Sequence, residues 1–168
     1  WIIKIFTHNS ILYKMFKYFI NPKNLFNIKY IHKIIYILSN FIYFLPVIIY
    51  KFNKITICAF LIGIISTLFH IFQFITLNLI TKILMYLDYS VTLGVFIYVI
   101  FTLCKILPIW CYAILVLTFI FFCCSLYNQT NIQYIYMHLL WHIVTGLLLL
   151  YASYKYNNYL IKKNKNTK

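Results

Sequence analysis

Read for hydropathy, the chain is a succession of long uncharged runs punctuated by single lysines. Ile34 to Tyr50 lies between Lys33 and Lys51, Ile55 to about Phe74 follows Lys54, and Tyr89 to Cys104 lies between Asp88 and Lys105. Ile106 to Tyr154 carries no charge, and the polar break Asn128, Gln129, Thr130, Asn131 divides it in two. A helix needs about 20 apolar residues to cross the hydrocarbon, with roughly 17 to 25 tolerated, and the runs fit that ruler. Barrel strands would alternate over about ten residues, whereas these runs are continuous. The pattern therefore predicts an all-α, polytopic transmembrane helix bundle of five or six spans, with a short aqueous or interfacial segment from about Ile75 to Leu87.

Residues 1–33 leave the count open. Ile2, Ile5, Leu12, Phe16 and Phe19 line one helix face while Lys4, Lys14 and Lys17 lie on the other, the pattern of an interfacial amphipathic helix or of a sixth, weakly hydrophobic span. No small-residue cleavage site follows, which argues against a signal peptide. Pro22 and the Asn-Lys segment Asn21 to Lys29 read as a linker. Three parts follow: the N-terminal segment 1–33, the helical domain 34–155 and a basic hydrophilic tail 156–168. The chain begins with Trp1 rather than Met, which reads as a fragment or a processed product and leaves missing N-terminal sequence open.

Composition sharpens the membrane reading. Of 168 residues 64% are hydrophobic and 10% charged, against about a quarter charged in soluble domains. Fifteen lysines face one acid, Asp88, for a net charge of +14, so salt bridges cannot organise the fold. Most lysines stand singly at the ends of apolar runs, where they snorkel to headgroups. That placement, without a basic stripe of interleaved aromatics, argues against nucleic-acid binding. Lys51, Lys54, Lys105 and the tail mark one side as cytosolic by the positive-inside rule; the lysines before residue 34 oppose that orientation unless residues 1–20 cross the membrane. Cys58, Cys104, Cys111, Cys123 and Cys124 fall in or at the ends of spans without a Cys-x-x-Cys pair and read as buried apolar thiols.

The candidate chemistry lies in the few polar groups inside the spans, which are costly there and so point to function. Ser66 and His70 are four apart, as are His138 and His142, so each pair shares a helix face. If the second span rises to side A, the third begins there with Asp88 and the fifth begins there with the histidine pair. All of these groups then converge at one depth. Three neutral imidazoles with an open fourth position suit a catalytic zinc, and Asp88 would serve as general base or orienter for its water. Ser66 would fix the water or donate to a developing oxyanion. A nucleophilic triad through Ser66 lacks the Gly-x-Ser-x-Gly context. Gly63 and Gly146 share faces with the histidines and would allow close helix approach.

At these positions the sequence resembles the CREST superfamily of seven-span membrane hydrolases, which groups alkaline ceramidases with progestin/adiponectin-type receptors and hemolysin III proteins. The shared motif is Ser-x-x-x-His, Asp and His-x-x-x-His, here Ser66/His70, Asp88 and His138/His142. His138-Leu-Leu-Trp141-His142 followed by Thr145-Gly146 is most similar to alkaline ceramidases, as is Ser39-Asn40 leading to Pro46. Leu87-Asp88-Tyr89-Ser90 looks more like the adiponectin-receptor branch. The resemblance implies Zn2+ on His70, His138 and His142, Asp88 and Ser66 as catalytic residues, and a ceramide-like membrane lipid cleaved at its amide in the endoplasmic reticulum or Golgi. About fifty residues separate Asp88 from His138, room for one span where the family has three, so the chain reads as an incomplete seven-span fold. The family's acidic N-terminal calcium segment has no counterpart. A lipid-sensing receptor with structural zinc and a truncated, non-catalytic paralogue remain as alternatives.

Overall fold

The computed structural model describes residues 21–127 and 130–166. The amphipathic helix expected over residues 1–20 lies outside the described residues, as do Asn128 and Gln129. Within them the chain has five helical segments long and apolar enough to cross a membrane. It is a multi-pass, all-α integral membrane protein.

The first span is built in three pieces: α1 (Tyr30–Leu38), a 3-10 helix (Ser39–Phe44) and α2 (Leu45–Tyr50). Pro46 sits at the start of α2, where it lacks an N–H and its ring crowds the preceding turn. The chain tightens ahead of it. Ser39 donates to the Tyr36 carbonyl at 2.6 Å, and Asn40 Nδ2 to that of Ile37 at 3.3 Å. α3 (Lys54–Ile75) is the second span and α4 (Leu79–Leu103) the third. Having almost no acids, the chain caps these helices with neutral amides. Asn53 Oδ1 accepts from the amides of Ile55 and Thr56 while Thr56 Oγ1 accepts from Asn53 N–H, a reciprocal capping box. Asn78 caps α4 through the Thr81 amide. α5 (Ile109–Tyr127) and α6 (Asn131–Asn166) complete the set. The 36 residues of α6 reach about 54 Å, well beyond a hydrocarbon core of about 30 Å, so the basic stretch from residue 156 continues the helix past the membrane.

One expectation is corrected. The segment Ile75 to Leu87 is not an aqueous connection: the break is confined to residues 76–78, and α4 begins at Leu79. A span boundary drawn at a charge mistakes a buried carboxylate for a membrane edge. Asp88 lies nine residues into α4 and is 6% exposed. Lys82, one turn into the helix, is half-buried with a stem long enough to reach headgroups. The first span likewise starts at Tyr30 rather than Ile34, because Lys33 turns back to donate to the Phe26 carbonyl at 2.8 Å.

Packing divides into two apolar clusters with a polar layer between them. One joins Tyr43, Ile55, Ile62, Val99 and Leu149 from the first span, α3, α4 and α6; the other joins Leu25, Tyr36, Leu126, Tyr134 and Ile135. α5 leans almost wholly on α6, α4 leans on α3, and α4 and α5 barely approach each other. The 3-10 segment is wedged against both α3 and α6, and two glycines make that possible. A Cβ on Gly146 would collide with Ile42, and one on Gly63 would stand 3.0 Å from the Phe44 ring. Beside Gly146, Thr145 Oγ1 donates to the Trp141 carbonyl at 2.6 Å and pairs with the Tyr43 hydroxyl at 2.5 Å. The Thr-Gly pair thus docks the first span onto α6. Gly146→Val should lower the thermal midpoint in detergent by an amount equivalent to about 1–3 kcal/mol or more. Gly94→Ala, where a Cβ meets open space, should leave it unchanged or raise it; equal losses at both positions would refute the wedge.

Candidate metal centre

The polar layer contains every group singled out by spacing. α3 brings Ser66 and His70 onto one buried face, α6 brings His138 and His142, and α4 brings Asp88. The three imidazoles are at most 1% exposed. Their ring centroids form a near-equilateral triangle with sides of 5.2, 5.1 and 4.7 Å. One ring nitrogen from each lies within 4.8 Å of the others, and His70 Nε2 stands 3.4 Å from His142 Nε2. A tetrahedral zinc with Zn–N of about 2.0–2.1 Å separates its ligand nitrogens by about 3.3–3.4 Å. His138 Nε2 is buried without a hydrogen-bond partner, and an orphaned buried polar atom calls for an explanation such as an ion. On spacing, burial and donor type, this triad fits a divalent metal.

Asp88 is the only Asp or Glu in the sequence, and the Ser66 hydroxyl hydrogen-bonds it. Asp88 and His138 meet in the wall of one cavity of about 570 Å3 between α4 and α5, floored by Trp141 of α6. Its remaining lining is largely apolar, including Leu93, Phe96, Val116 and Phe119. On α4 the lining runs from Asp88 to Ile100, about 18 Å along the helix.

Several residues of the site carry no signal in the spacing. Tyr36 is fully buried, with its ring centroid 4.3, 5.4 and 5.8 Å from those of His70, His138 and His142. Its hydroxyl donates to Tyr134 at 3.2 Å. Ser39, Gln73 and Ser125 each contact one imidazole Nδ1, at 2.7, 3.1 and 3.3 Å. Ser39 stood out only as part of a Ser-Asn pair; Tyr36 is one of 17 tyrosines and could not be told from the rest.

Residues 21–28 cross the end of the bundle nearest the triad. Leu25 is fully buried, Gln73 Nε2 donates to the Lys23 carbonyl at 3.1 Å, and Asn131 Nδ2 to that of Asn24 at 3.0 Å. The Lys23 ammonium rests 5.0 Å over the Tyr134 ring, and burial holds it down to about 8. The cysteines are free, and only Cys111 is buried. Cys104 is exposed, because it follows the last turn of α4, so the expectation of buried thiols is corrected there. Comparison with protein-family models, curated proteins and solved structures finds no match to this chain.

Proposed function

We propose that the protein is a zinc-dependent intramembrane hydrolase cleaving the amide bond of a ceramide-like lipid. The observation that carries this reading is the buried imidazole triad with its orphaned His138 Nε2, whose His138 shares with Asp88 the wall of an apolar cavity of about 570 Å3. His70, His138 and His142 would hold the metal. When bound there, zinc supplies Lewis-acid polarisation of a carbonyl and acidifies water. Asp88 accepts the proton of the attacking water and returns it to the leaving nitrogen, so the products are a fatty acid and an amine. Ser66 holds the carboxylate toward the cavity. The cavity wall excludes bulk water and aligns an alkyl chain along α4, which places the amide at the Asp88 end.

The reading is tested by turnover of a long-chain N-acyl sphingoid base with purified protein. Activity should vanish on chelation and return with zinc. Absence of amide cleavage by the metal-loaded protein would reject the substrate class. A second test concerns the cavity. Val116→Trp, which fills the cleft from the α5 side, should raise KM for a long-chain amide by about tenfold or more, since each buried methylene is worth about 0.8 kcal/mol. It should spare kcat on a short-chain amide. Equal effects on both substrates would separate the cleft from substrate binding.

A further inference from the structure

We infer that Ser39, Gln73 and Ser125 are positioning residues that fix the three imidazoles in one tautomer, Nδ1–H, and so turn three Nε2 lone pairs toward a common point; the inference rests on the metal reading of the triad. Ser39 Oγ lies 2.6 Å from the Tyr36 carbonyl oxygen, a contact that only the hydroxyl proton can bridge, because a carbonyl has no proton to give. Ser39 has then spent its proton, and its contact at 2.7 Å with His142 Nδ1 requires the imidazole to donate. Ser125 repeats the arrangement: its proton goes to the Phe122 carbonyl at 2.7 Å, and it accepts from His138 Nδ1 at 3.3 Å. Gln73 reaches the same result through its amide. Its Nε2 donates to the Lys23 carbonyl at 3.1 Å, which orients Oε1 toward His70 Nδ1 at 3.1 Å as an acceptor.

Three side chains from three spans thus impose one protonation pattern on three histidines. A neutral imidazole with Nδ1–H has only a lone pair at Nε2. His70 Nε2 and His142 Nε2 therefore face each other at 3.4 Å as two acceptors, and His138 Nε2 is the orphan. Facing lone pairs repel unless a cation lies between them. The clamp presets the triad for a divalent metal of borderline softness, for which neutral imidazole is the suited ligand. Partners of this kind fix the orientation of a ligating histidine and raise its basicity.

The experiment is a zinc titration against a competing chelator, with cobalt substituted for zinc to read the ligand field from its visible absorption. Ser39→Ala, Ser125→Ala and Gln73→Leu should each weaken zinc binding by about 10–100-fold and shift the cobalt bands. Ser39→Thr and Gln73→Glu keep the acceptor and should restore near-wild-type affinity and spectrum, although Glu at 73 gives up the bond to the Lys23 carbonyl. Wild-type affinity in all three truncated variants would overturn the inference while leaving the metal site standing. So would loss that the conservative variants fail to restore, which marks a merely structural role. Failure of the wild-type protein to bind zinc at all would instead remove the metal reading and this inference with it.

Discussion

Asp88→Asn should retain zinc and lose amide turnover by about 10²–10⁴-fold, the range that a positioned proton-transfer group contributes. The substitution is nearly isosteric, and Asn can still pair with Ser66, so the helix packing around the site survives. What it removes is the one acidic side chain of the sequence. The check is kcat on a long-chain amide beside metal content for the same preparation. Unchanged turnover in a zinc-loaded Asp88→Asn protein would exclude Asp88 as the base.

Tyr36→Ala should be the most damaging change outside the triad. The ring is fully buried and lies within 5.8 Å of all three histidine rings. It also belongs to the apolar cluster with Leu25, Tyr134 and Ile135. Truncating a buried aromatic to alanine costs about 3–5 kcal/mol, and here the cavity would open against the imidazoles themselves. The thermal midpoint should fall steeply and zinc affinity should fall with it. Tyr36→Phe keeps the ring and loses only the hydrogen bond to Tyr134, so it should cost about 0.5–1.5 kcal/mol and keep the metal. A Tyr36→Ala protein with wild-type stability would contradict the packing described here.

How much of this was legible in sequence follows from the physics of each signal. Continuous apolar runs of spanning length are set by bilayer thickness, and the first, second, fourth and fifth spans appear close to where hydropathy puts them. The third did not, because a rule that ends spans at charges fails where the charge is buried inside a helix. The same Asp88 that marked a boundary proved to be a buried wall of the cavity, and the helix had begun nine residues earlier. Ser66/His70 and His138/His142 were legible because spacing of four residues on a helix forces a shared face. Gly63 and Gly146 are close-approach sites as expected, though their partner is the 3-10 segment of the first span. Ser39, Gln73 and Ser125 were not legible as a set. Each acts by a contact made between spans, and short hydroxyls in helices carry no periodic signature. The 3-10 tightening that delivers Ser39 to His142 depends on Pro46, a cue for irregularity without a direction.

The central claim is that His70, His138 and His142 together hold one metal ion. The most direct measurement is zinc stoichiometry of purified protein, wild type against the double substitution His138→Ala, His142→Ala, with oligomeric state and thermal midpoint recorded on both. About one zinc per chain in wild type and none retained in the double variant is the predicted result. Equal zinc in the two proteins, or none in a correctly folded wild type after zinc loading, would contradict it.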